Sequence, residues 1–318
     1  MHEPRTLNSC LPCKLIAFMS TAKYYLSALS AFIIWGFFSL ALKPLHNYPS
    51  LDILFYRVFL CAVIMSIITL VVRRRVLRAS IIQFKELPQV DKQRTLFLTL
   101  SGGILLLANW FFFIFVMNHI SVKAASFAYL VCPILTTVIA YFVLSETLSR
   151  WQWFAVLLSL VSCLLLSFNS LKDVLFSMIV AVSYALYLVS QRKNNGFDKF
   201  LILSIQMLFS AIVLLPFYPT FSGGIPTEPF FYGMITIIAI VFTIVPLFLN
   251  LFALEGINSS TIGILLYINP LINFFMALLY YHEPINELQL IAYSLIFTSV
   301  VVFNERHFFK KRRNLAVS

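Results

Sequence analysis

The sequence predicts an all-α membrane protein with ten transmembrane helices, arranged as two inverted five-helix repeats with both termini in the cytoplasm. Three observations carry this prediction. The 318 residues are 61% hydrophobic and only 11% charged, whereas about a quarter of the residues in a soluble domain are charged. Ten apolar stretches reach the length of about 20 residues that a helix needs to cross a membrane. The second half of the sequence also repeats residues of the first half at regular offsets.

The apolar stretches follow one another with short connections, and none alternates polar and apolar residues as a transmembrane strand would. Residues 1–22 are predicted to form a disordered cytoplasmic extension, within which Met19 is an alternative start. Residues 306–318 are predicted to form a basic cytoplasmic tail that can touch anionic lipid. The predicted spans are 24–42, 52–72, 96–118, 123–144, 151–168, 174–191, 199–218, 230–254, 259–281 and 286–303.

The basic residues predict the orientation of these spans. If the N-terminus is cytoplasmic, 19 of the 23 Lys and Arg residues face the cytoplasm and three face the opposite side. Because cytoplasmic loops are enriched in Lys and Arg, both termini are predicted to be cytoplasmic. The net charge of +11 is then a consequence of membrane topology, and we expect no nucleic-acid partner. The remaining basic residue, Arg57, lies inside the second span.

An internal repeat relates the two halves of the chain. Pro133 stands 13 residues before Glu146, and Pro270 stands 13 residues before Glu283, so the two pairs are 137 residues apart. A longer basic loop in the first copy changes the offset to 149 for the earlier spans. Further pairs at these two offsets are Gln152 with Gln289, Ala155 with Ala292, Trp35 with Tyr184, and Arg57 with Gln206.

We therefore predict a first half, residues 23–170, and a second half, residues 171–305, each containing five spans. Because five is an odd number, the second copy is inverted in the membrane. Two inverted copies can exchange conformations, which is the architecture of alternating access with a substrate held near the membrane midplane.

The order and spacing of short motifs resemble the RarD-like branch of the EamA-type drug/metabolite transporters. The resemblance covers residues 24–303. At two positions, Cys132 and Glu255, the sequence departs from the pattern of the branch. The residues that carry the resemblance are Ile34-Trp35-Gly36, Arg57-Val58, Asn109-Trp110, Phe113-Ile114, Asn118, Ala125-Ser126, Tyr129, Pro133, Glu146, Gln152-Trp153, Val245-Pro246-Leu247, Ser260-Thr261-Ile262-Gly263, Tyr267-Ile268, Pro270 and Glu283.

The resemblance implies a multi-pass permease of the bacterial inner membrane. Its substrate would be a small metabolite, either amino acid-like or otherwise polar or amphipathic, and drugs belong to the same range. The branch carries the label "chloramphenicol-sensitive protein", which defines no physiological substrate. Import or export, a coupling ion, and a monomeric or dimeric state all stay open.

Arg57 is the one formal charge more than a turn inside a predicted span, about 8 Å from its outer end. An Arg at the membrane centre costs about 2.5–3.5 kcal/mol on insertion scales, so its position needs a reason. One interpretation is that Arg57 faces a central cavity and pairs with a carboxylate or phosphate of the substrate. The other is that it extends to the outer interface and pairs with Asp52.

Other polar and aromatic residues inside the spans are further candidates. The amides either bond between helices or line a wet cavity, and the aromatic rings either pack in the core or form flat walls for a substrate. The Asn269-Pro270-x-x-Asn273 cluster is the best polar site in the second half. The substrate-binding candidates are Trp35, Arg57, Asn109, Trp110, Tyr129, Tyr184, Gln206, Asn250, Tyr267, Asn269 and Asn273.

Three prolines and two glutamates are candidates for residues that take part in a conformational change. Pro133, Pro246 and Pro270 are candidate hinges, because proline removes one helical hydrogen bond and frees a carbonyl group in the preceding turn. Glu146 and Glu283 directly follow their spans. Each either caps or complements the N-terminus of the next helix along the chain or acts as a gating or proton site.

The chemistry of an enzyme is not evident in the spans. We find no set of nucleophile and base residues at one membrane depth, no phosphate-binding loop and no metal-ligand set, so no cofactor and no metal are expected. The CxxC formed by Cys10 and Cys13 has no second pair. The sequence thus predicts a transporter that contacts a small molecule and membrane lipid. A lipid-modifying membrane enzyme or a lipid flippase is the alternative, and a channel is a further rival.

Overall fold

The structure, a computed structural model, describes residues 11–45, 47–119, 122–167, 171–279 and 287–304. Within these ranges every regular element is helical and there is no strand. The α-helices are α1 (Leu11–Gly36), α2 (Phe38–Leu42), α3 (Ser50–Ile67), α4 (Arg74–Glu86), α5 (Gln89–His119), α6 (Val122–Leu144), α7 (Arg150–Ser167), α8 (Leu171–Lys193), α9 (Lys199–Leu214), α10 (Tyr218–Phe221), α11 (Pro229–Ala239), α12 (Val245–Gly256), α13 (Ser259–Leu265), α14 (Ile268–Leu279) and α15 (Glu287–Phe303).

Short turns of other helix types interrupt or join these α-helices. A π-helical turn, Ile68–Val72, continues α3, and a second, Ile240–Ile244, joins α11 to α12. Two 3-10 turns, Lys43–Leu45 and Leu215–Phe217, lie after α2 and between α9 and α10. The eighth predicted span is therefore one continuous helical rod with a π-helical turn in its middle.

The all-helical, membrane-spanning character of the fold is confirmed. Four helical stretches in the described residues are long and apolar enough to cross a membrane, and four shorter apolar helices accompany them. Together they correspond to eight of the ten predicted spans, while the count of ten stays a prediction. The long stretches are Ser50–Val72, Gln89–Phe113, Lys199–Phe221 and Pro229–Gly256, and the shorter ones are Tyr129–Leu144, Arg150–Leu165, Ser259–Ile272 and Leu290–Phe303.

The first helix differs from the sequence expectation. α1 begins at Leu11 and therefore includes residues 11–22, for which the sequence predicted disorder. Pro12 lies in the first turn, where a missing backbone N–H breaks no helical hydrogen bond. The residues that follow carry no further Pro or Gly before Gly36, so nothing in the sequence ends the helix earlier.

Local capping explains where two of the helices begin. Before α7, the Ser149 hydroxyl accepts a hydrogen bond from the Gln152 backbone N–H at 3.2 Å, and the Gln152 side chain accepts one from the Ser149 N–H at 2.9 Å. This reciprocal pair is a capping box. Asp198 caps α9 by accepting from the Leu201 N–H at 3.0 Å. The capping box gives Gln152, one of the repeated residues, a structural role.

Helices of the first half pack directly against helices of the second half. α7 packs on α15, α1 on α12, α3 on α9, and α6 on both α8 and α13. Small polar residues hold the α7–α15 contact, where the hydroxyls of Ser159 and Ser299 lie 3.0 Å apart and Ser162 donates to the Ala292 carbonyl at 2.8 Å. Such hydroxyls allow close helix approach and bond across the interface. The two halves thus form one interlocked bundle.

The outer surface of the bundle is apolar. Large side chains such as Phe142, Leu157 and Ile212 are more than half exposed, although exposed apolar patches of this extent are unusual for a soluble monomer. Lipid is the environment that suits these faces.

Candidate functional site

Arg57 is buried inside the bundle, with 9% of the residue exposed. Its guanidinium carbon, Cζ, lies 4.3 Å from the centroid of the Trp110 ring on α5, a distance typical of a cation–π contact. The Nε atom is buried and has no hydrogen-bond partner among the described residues. Over the same residues the salt bridge found joins Arg73 to Asp198, so Arg57 has no carboxylate partner there.

Asp52, the alternative partner of Arg57, is engaged elsewhere. Its carboxylate is 2% exposed and accepts hydrogen bonds from the Gly223 backbone N–H at 3.2 and 3.1 Å. Gly223 allows this approach because a Cβ atom at that position would lie 3.0 Å from the Asp52 Oδ2. Arg57 therefore does not extend to the outer surface to pair with Asp52. It stays in the interior without a counter-charge in the described part of the chain.

Trp110 and Tyr129 of the first half lie near Arg57, and Tyr184 of the second half lies near Tyr129. The Tyr129 ring packs against Phe113 at 5.4 Å between centroids, and Tyr129 is close enough to interact electrostatically with both Arg57 and Tyr184. Tyr184 on α8 is buried and meets the ring of Trp35 edge-on at 6.4 Å. The region thus combines a buried cation with flat apolar faces.

Trp35 also makes a hydrogen bond that depends on a predicted hinge residue. Its indole Nε1 donates to the Phe242 carbonyl at 2.9 Å. Phe242 is four residues before Pro246, whose missing N–H leaves that carbonyl without its usual helical donor. Trp35 on α1 therefore satisfies a group that Pro246 frees in the second half.

Two of the candidate amides join helices. Asn109 on α5 donates to the Val180 carbonyl at 2.9 Å and to the Ser183 hydroxyl at 3.3 Å, both on α8. Gln206 on α9 donates to the Gln191 side-chain oxygen at 2.9 Å. Hydrogen bonds of this kind attach transmembrane helices to one another. Gln191 was not among the sequence candidates, because its position near the end of a span gave no signal of burial.

Asn250 and Tyr184 form a second polar contact in the interior. The Asn250 side-chain amide donates to the Tyr184 hydroxyl at 3.3 Å. The other amide atom, Oδ1, is buried and has no partner among the described residues. One hydrogen-bond acceptor therefore remains available beside the Tyr184 ring.

The two prolines related by the offset of 137 have different surroundings. Pro133 lies inside α6, which is one continuous helix from Val122 to Leu144. Pro270 follows a break, because α13 ends at Leu265 and α14 begins at Ile268. At this break the Asn269 N–H bonds to the Leu266 carbonyl at 3.1 Å, which is the carbonyl that Pro270 cannot reach. The ninth predicted span therefore contains a two-residue turn that separates α13 from α14.

Residues around this break include the remaining polar candidates. Tyr267 is fully buried at the break itself. Asn269 is half-buried on the first turn of α14. Asn273 lies on the same helix, and its side chain lies outside the described residues.

Glu146 joins the two halves at the N-terminus of α13. Its carboxylate accepts from the Ser259 N–H at 2.9 Å, from the Ser260 N–H at 3.1 Å and from the Ser260 hydroxyl at 2.6 Å. A carboxylate at this position satisfies helical N–H groups that have no partner within the helix. Glu146 therefore caps α13 of the second half and not, as the sequence predicted, the next helix, α7, which Ser149 caps. Glu283, its counterpart, lies outside the described residues.

The chain matches the EamA-like transporter family over residues 22–168 and again over residues 171–304. It belongs to this family. It is 28% identical over 279 residues to the uncharacterized transporter YojE of Bacillus subtilis (strain 168), covering 86% of this chain and 90% of that protein. It is 26% identical over 298 residues to Protein RarD of Escherichia coli (strain K12), covering 92% and 97%.

The fold has also been seen in a solved structure. One crystal structure aligns with a TM-score of 0.70 at 15% identity, covering 88% of this chain and 96% of the other. At this identity the likeness concerns the fold alone. The expected resemblance to the RarD-like branch is confirmed by the family match and by the relatives named RarD.

This EamA-like transporter has a second contact between its halves that the sequence did not reveal. The Arg73 guanidinium binds both oxygens of the Asp198 carboxylate, at 2.8 and 3.0 Å. Arg73 belongs to a run of three arginines, which the sequence indicated only as a topology signal. Its partner lies 125 residues away, and no local pattern identifies it. Among the described residues no group of three or more His, Cys, Asp or Glu residues could hold a metal ion.

Proposed function

We propose that the chain is a secondary transporter of the bacterial inner membrane that moves a small organic solute by alternating access. The family and the names of the relatives indicate a transporter rather than an enzyme. The observation that carries the proposal further is Arg57, a buried cation with no counter-charge among the described residues. A charge in this position is expensive unless a ligand or a wet cavity uses it.

In the proposed topology, ten spans form two inverted five-helix repeats and both termini are cytoplasmic. The distribution of Lys and Arg supports this orientation. The two family matches, which divide the chain near residue 170, support the duplication. The substrate then lies between the halves, where Arg57 contacts Trp110 and Tyr129 is close to both Arg57 and Tyr184 of the second half.

The remaining candidates divide into two groups under this proposal. Asn109 and Gln206 act mainly between helices, because their amide donors are used by α8. Asn250 Oδ1 and Gln206 Oε1 are buried acceptors without a partner among the described residues, and of the two only Asn250 lies beside Tyr184. Tyr267, Asn269 and Asn273 border the break between α13 and α14 and are assigned to the inner part of the path.

Alternating access requires contacts that form in one state and break in another. We assign this role to the two contacts between the halves at the predicted cytoplasmic end, namely Glu146 with α13 and Arg73 with Asp198. Opening toward the cytoplasm would separate both. The π-helical turn before Pro246 and the turn before Pro270 give α12 and α14 places to bend, because each proline removes a helical hydrogen bond there.

Counterflow in proteoliposomes tests the proposal. Vesicles containing the purified full chain are preloaded with pooled organic acids, amino acids, nucleosides and antibiotics, and entry of each labelled compound is followed. Saturable entry that depends on preloaded unlabelled compound is the expected result. Non-saturable entry would indicate a channel. A parallel assay with fluorescent phospholipid covers the alternative, and lipid transfer without solute counterflow would replace this proposal by a flippase.

A further inference from the structure

The charge at the proposed site calls for an anionic ligand. Among the described residues no carboxylate reaches Arg57, and the nearest acid along the same helix, Asp52, is bonded to the Gly223 N–H. Removing one partner from a buried ion pair leaves a strongly unfavourable uncompensated charge. The stable state of Arg57 is therefore one in which a solute supplies the negative group.

The placement of Trp110 selects the shape of that group. The indole covers one face of the guanidinium at 4.3 Å, so further ligands must approach the edge of the guanidinium. The buried Nε–H lies on that edge and has no partner in the described part of the chain. Together with a neighbouring Nη–H it forms the two-pronged donor that matches the two oxygens of a carboxylate.

The side chains around Arg57 indicate what the rest of the solute would be, because they are aromatic. Tyr129 is close to both Arg57 and Tyr184, and the Tyr184 ring meets Trp35 edge-on. These rings offer flat faces. Contacts between aromatic rings are favourable beyond the burial of apolar area.

Few hydrogen-bonding groups near these rings are left for a ligand. The Asn109 amide donor is used by α8, and the Trp35 N–H is used by the Phe242 carbonyl. The Asn250 Oδ1 and the hydroxyl of Tyr187, whose ring stacks on Tyr184 at 5.9 Å, are buried and have no partner among the described residues. A sugar or nucleoside, with many hydroxyl groups, would leave most of them unpaired in such a site.

We propose that the transported solute is a small aromatic monocarboxylate, whose carboxylate pairs with Arg57 and whose ring lies between Trp110, Tyr129 and Tyr184. This inference rests on the proposed function and adds the chemical class of the substrate. It also states which part of the ligand each side chain contacts.

Ligand-induced thermal stabilisation of the purified full chain in detergent tests the class. The probes are benzoate and indole-3-acetate, with benzamide as the neutral match, phenyl phosphate as the dianion and pyruvate as the carboxylate without a ring. We expect the aromatic carboxylates to bind at least about tenfold more tightly than benzamide, the effect of one charge-assisted contact. We expect them to exceed pyruvate by a similar factor, because pyruvate has no ring to pack.

Variants link the binding to the site. Arg57→Gln should abolish stabilisation by the carboxylates, and Arg57→Lys should weaken it about tenfold, because a lysine keeps the charge but not the planar fork. Without ligand, Arg57→Gln should melt no lower than the wild type, since it removes an uncompensated buried charge. This melting temperature distinguishes a lost site from a lost fold. Arg78→Gln is the matched control, because Arg78 is an exposed arginine of α4.

The outcomes separate this inference from the proposed function. If pyruvate or phenyl phosphate binds as well as benzoate, the aromatic or carboxylate part of the class is wrong. If no aromatic carboxylate binds while counterflow identifies another solute, the class is wrong and the transport function stands. If neither binding nor counterflow is found for any probe, both proposals are wrong.

Discussion

Positions 57 and 206 are related by the internal repeat, yet their side chains have opposite surroundings. Gln206 donates to Gln191 at 2.9 Å, and Gly102 makes room for this pair, because a Cβ atom there would lie only 2.2 Å from the Gln191 side chain. Arg57 has no hydrogen-bond or ion-pair partner among the described residues. One copy therefore uses this position for a contact between helices, whereas the other leaves its charge without a counter-charge among the described residues.

The helices that carry the two repeated prolines differ in a similar way. α6 is continuous through Pro133, whereas the corresponding second-half segment is broken into α13 and α14 before Pro270. The short helix α13 packs closely on α6 at Gly263, where a Cβ atom would lie 2.9 Å from the Thr136 side chain. Glu146 caps its first turn. The two repeated segments thus differ, since one is a continuous helix and the other has a turn before its proline and packs on the first.

The largest expected effect comes from making position 57 identical to position 206. Arg57→Gln should lower counterflow of an anionic substrate at least about 100-fold, because loss of a buried charge pair removes about 3 kcal/mol of binding. Counterflow rates in proteoliposomes, normalised to reconstituted protein, measure this. Unchanged transport would mean that Arg57 plays no part in binding.

The second-largest effect is expected at Glu146, which caps α13 and so links it to the first half. Glu146→Ala removes three hydrogen bonds to a carboxylate at the start of α13 and should destabilise the protein by about 2 kcal/mol. Thermal melting in detergent measures the change, with Glu86→Ala, an exposed glutamate at the end of α4, as control. Equal melting temperatures for the two variants would contradict the capping role.

A smaller effect is expected at the ring that covers Arg57. Trp110→Leu keeps an apolar side chain but removes the cation–π contact, so we expect about tenfold weaker binding, or about 1.4 kcal/mol. The KM for counterflow should rise while the maximal rate changes little. A fall in the maximal rate with constant KM would assign Trp110 to the conformational step instead.

The smallest effect is expected at Gln206, the counterpart of Arg57 in the second half. Gln206→Met removes one neutral hydrogen bond and keeps most of the volume, so stability should fall by about 1 kcal/mol or less. Transport should remain within about threefold of the wild type. A loss of transport as large as that of Arg57→Gln would contradict a purely structural role for Gln206.

The sequence was sufficient for the helical membrane fold and the repeat, because both depend on composition and periodic spacing. It also identified Arg57, since a lone charge in an apolar span is visible without a structure. The partners of Glu146, Arg73 and Trp35 were not predictable. Each lies more than a hundred residues away along the chain.

The break between α13 and α14 was missed for a different reason. Pro133 and Pro270 look alike in sequence, and a proline alone does not specify whether a helix continues. The outcome depends on how the neighbouring helix packs, here through the contact between Gly263 and α6. Packing of this kind is a property of the folded bundle rather than of the local sequence.

The Glu146 contact has a consequence for the order in which the protein assembles. Glu146 precedes Ser259 by 113 residues, so the ribosome delivers the carboxylate long before the helix that it caps. When α13 emerges, its acceptor and the surface of α6 are already in the membrane. The first half therefore provides the surface and the capping carboxylate on which α13 of the second half can pack as it is made.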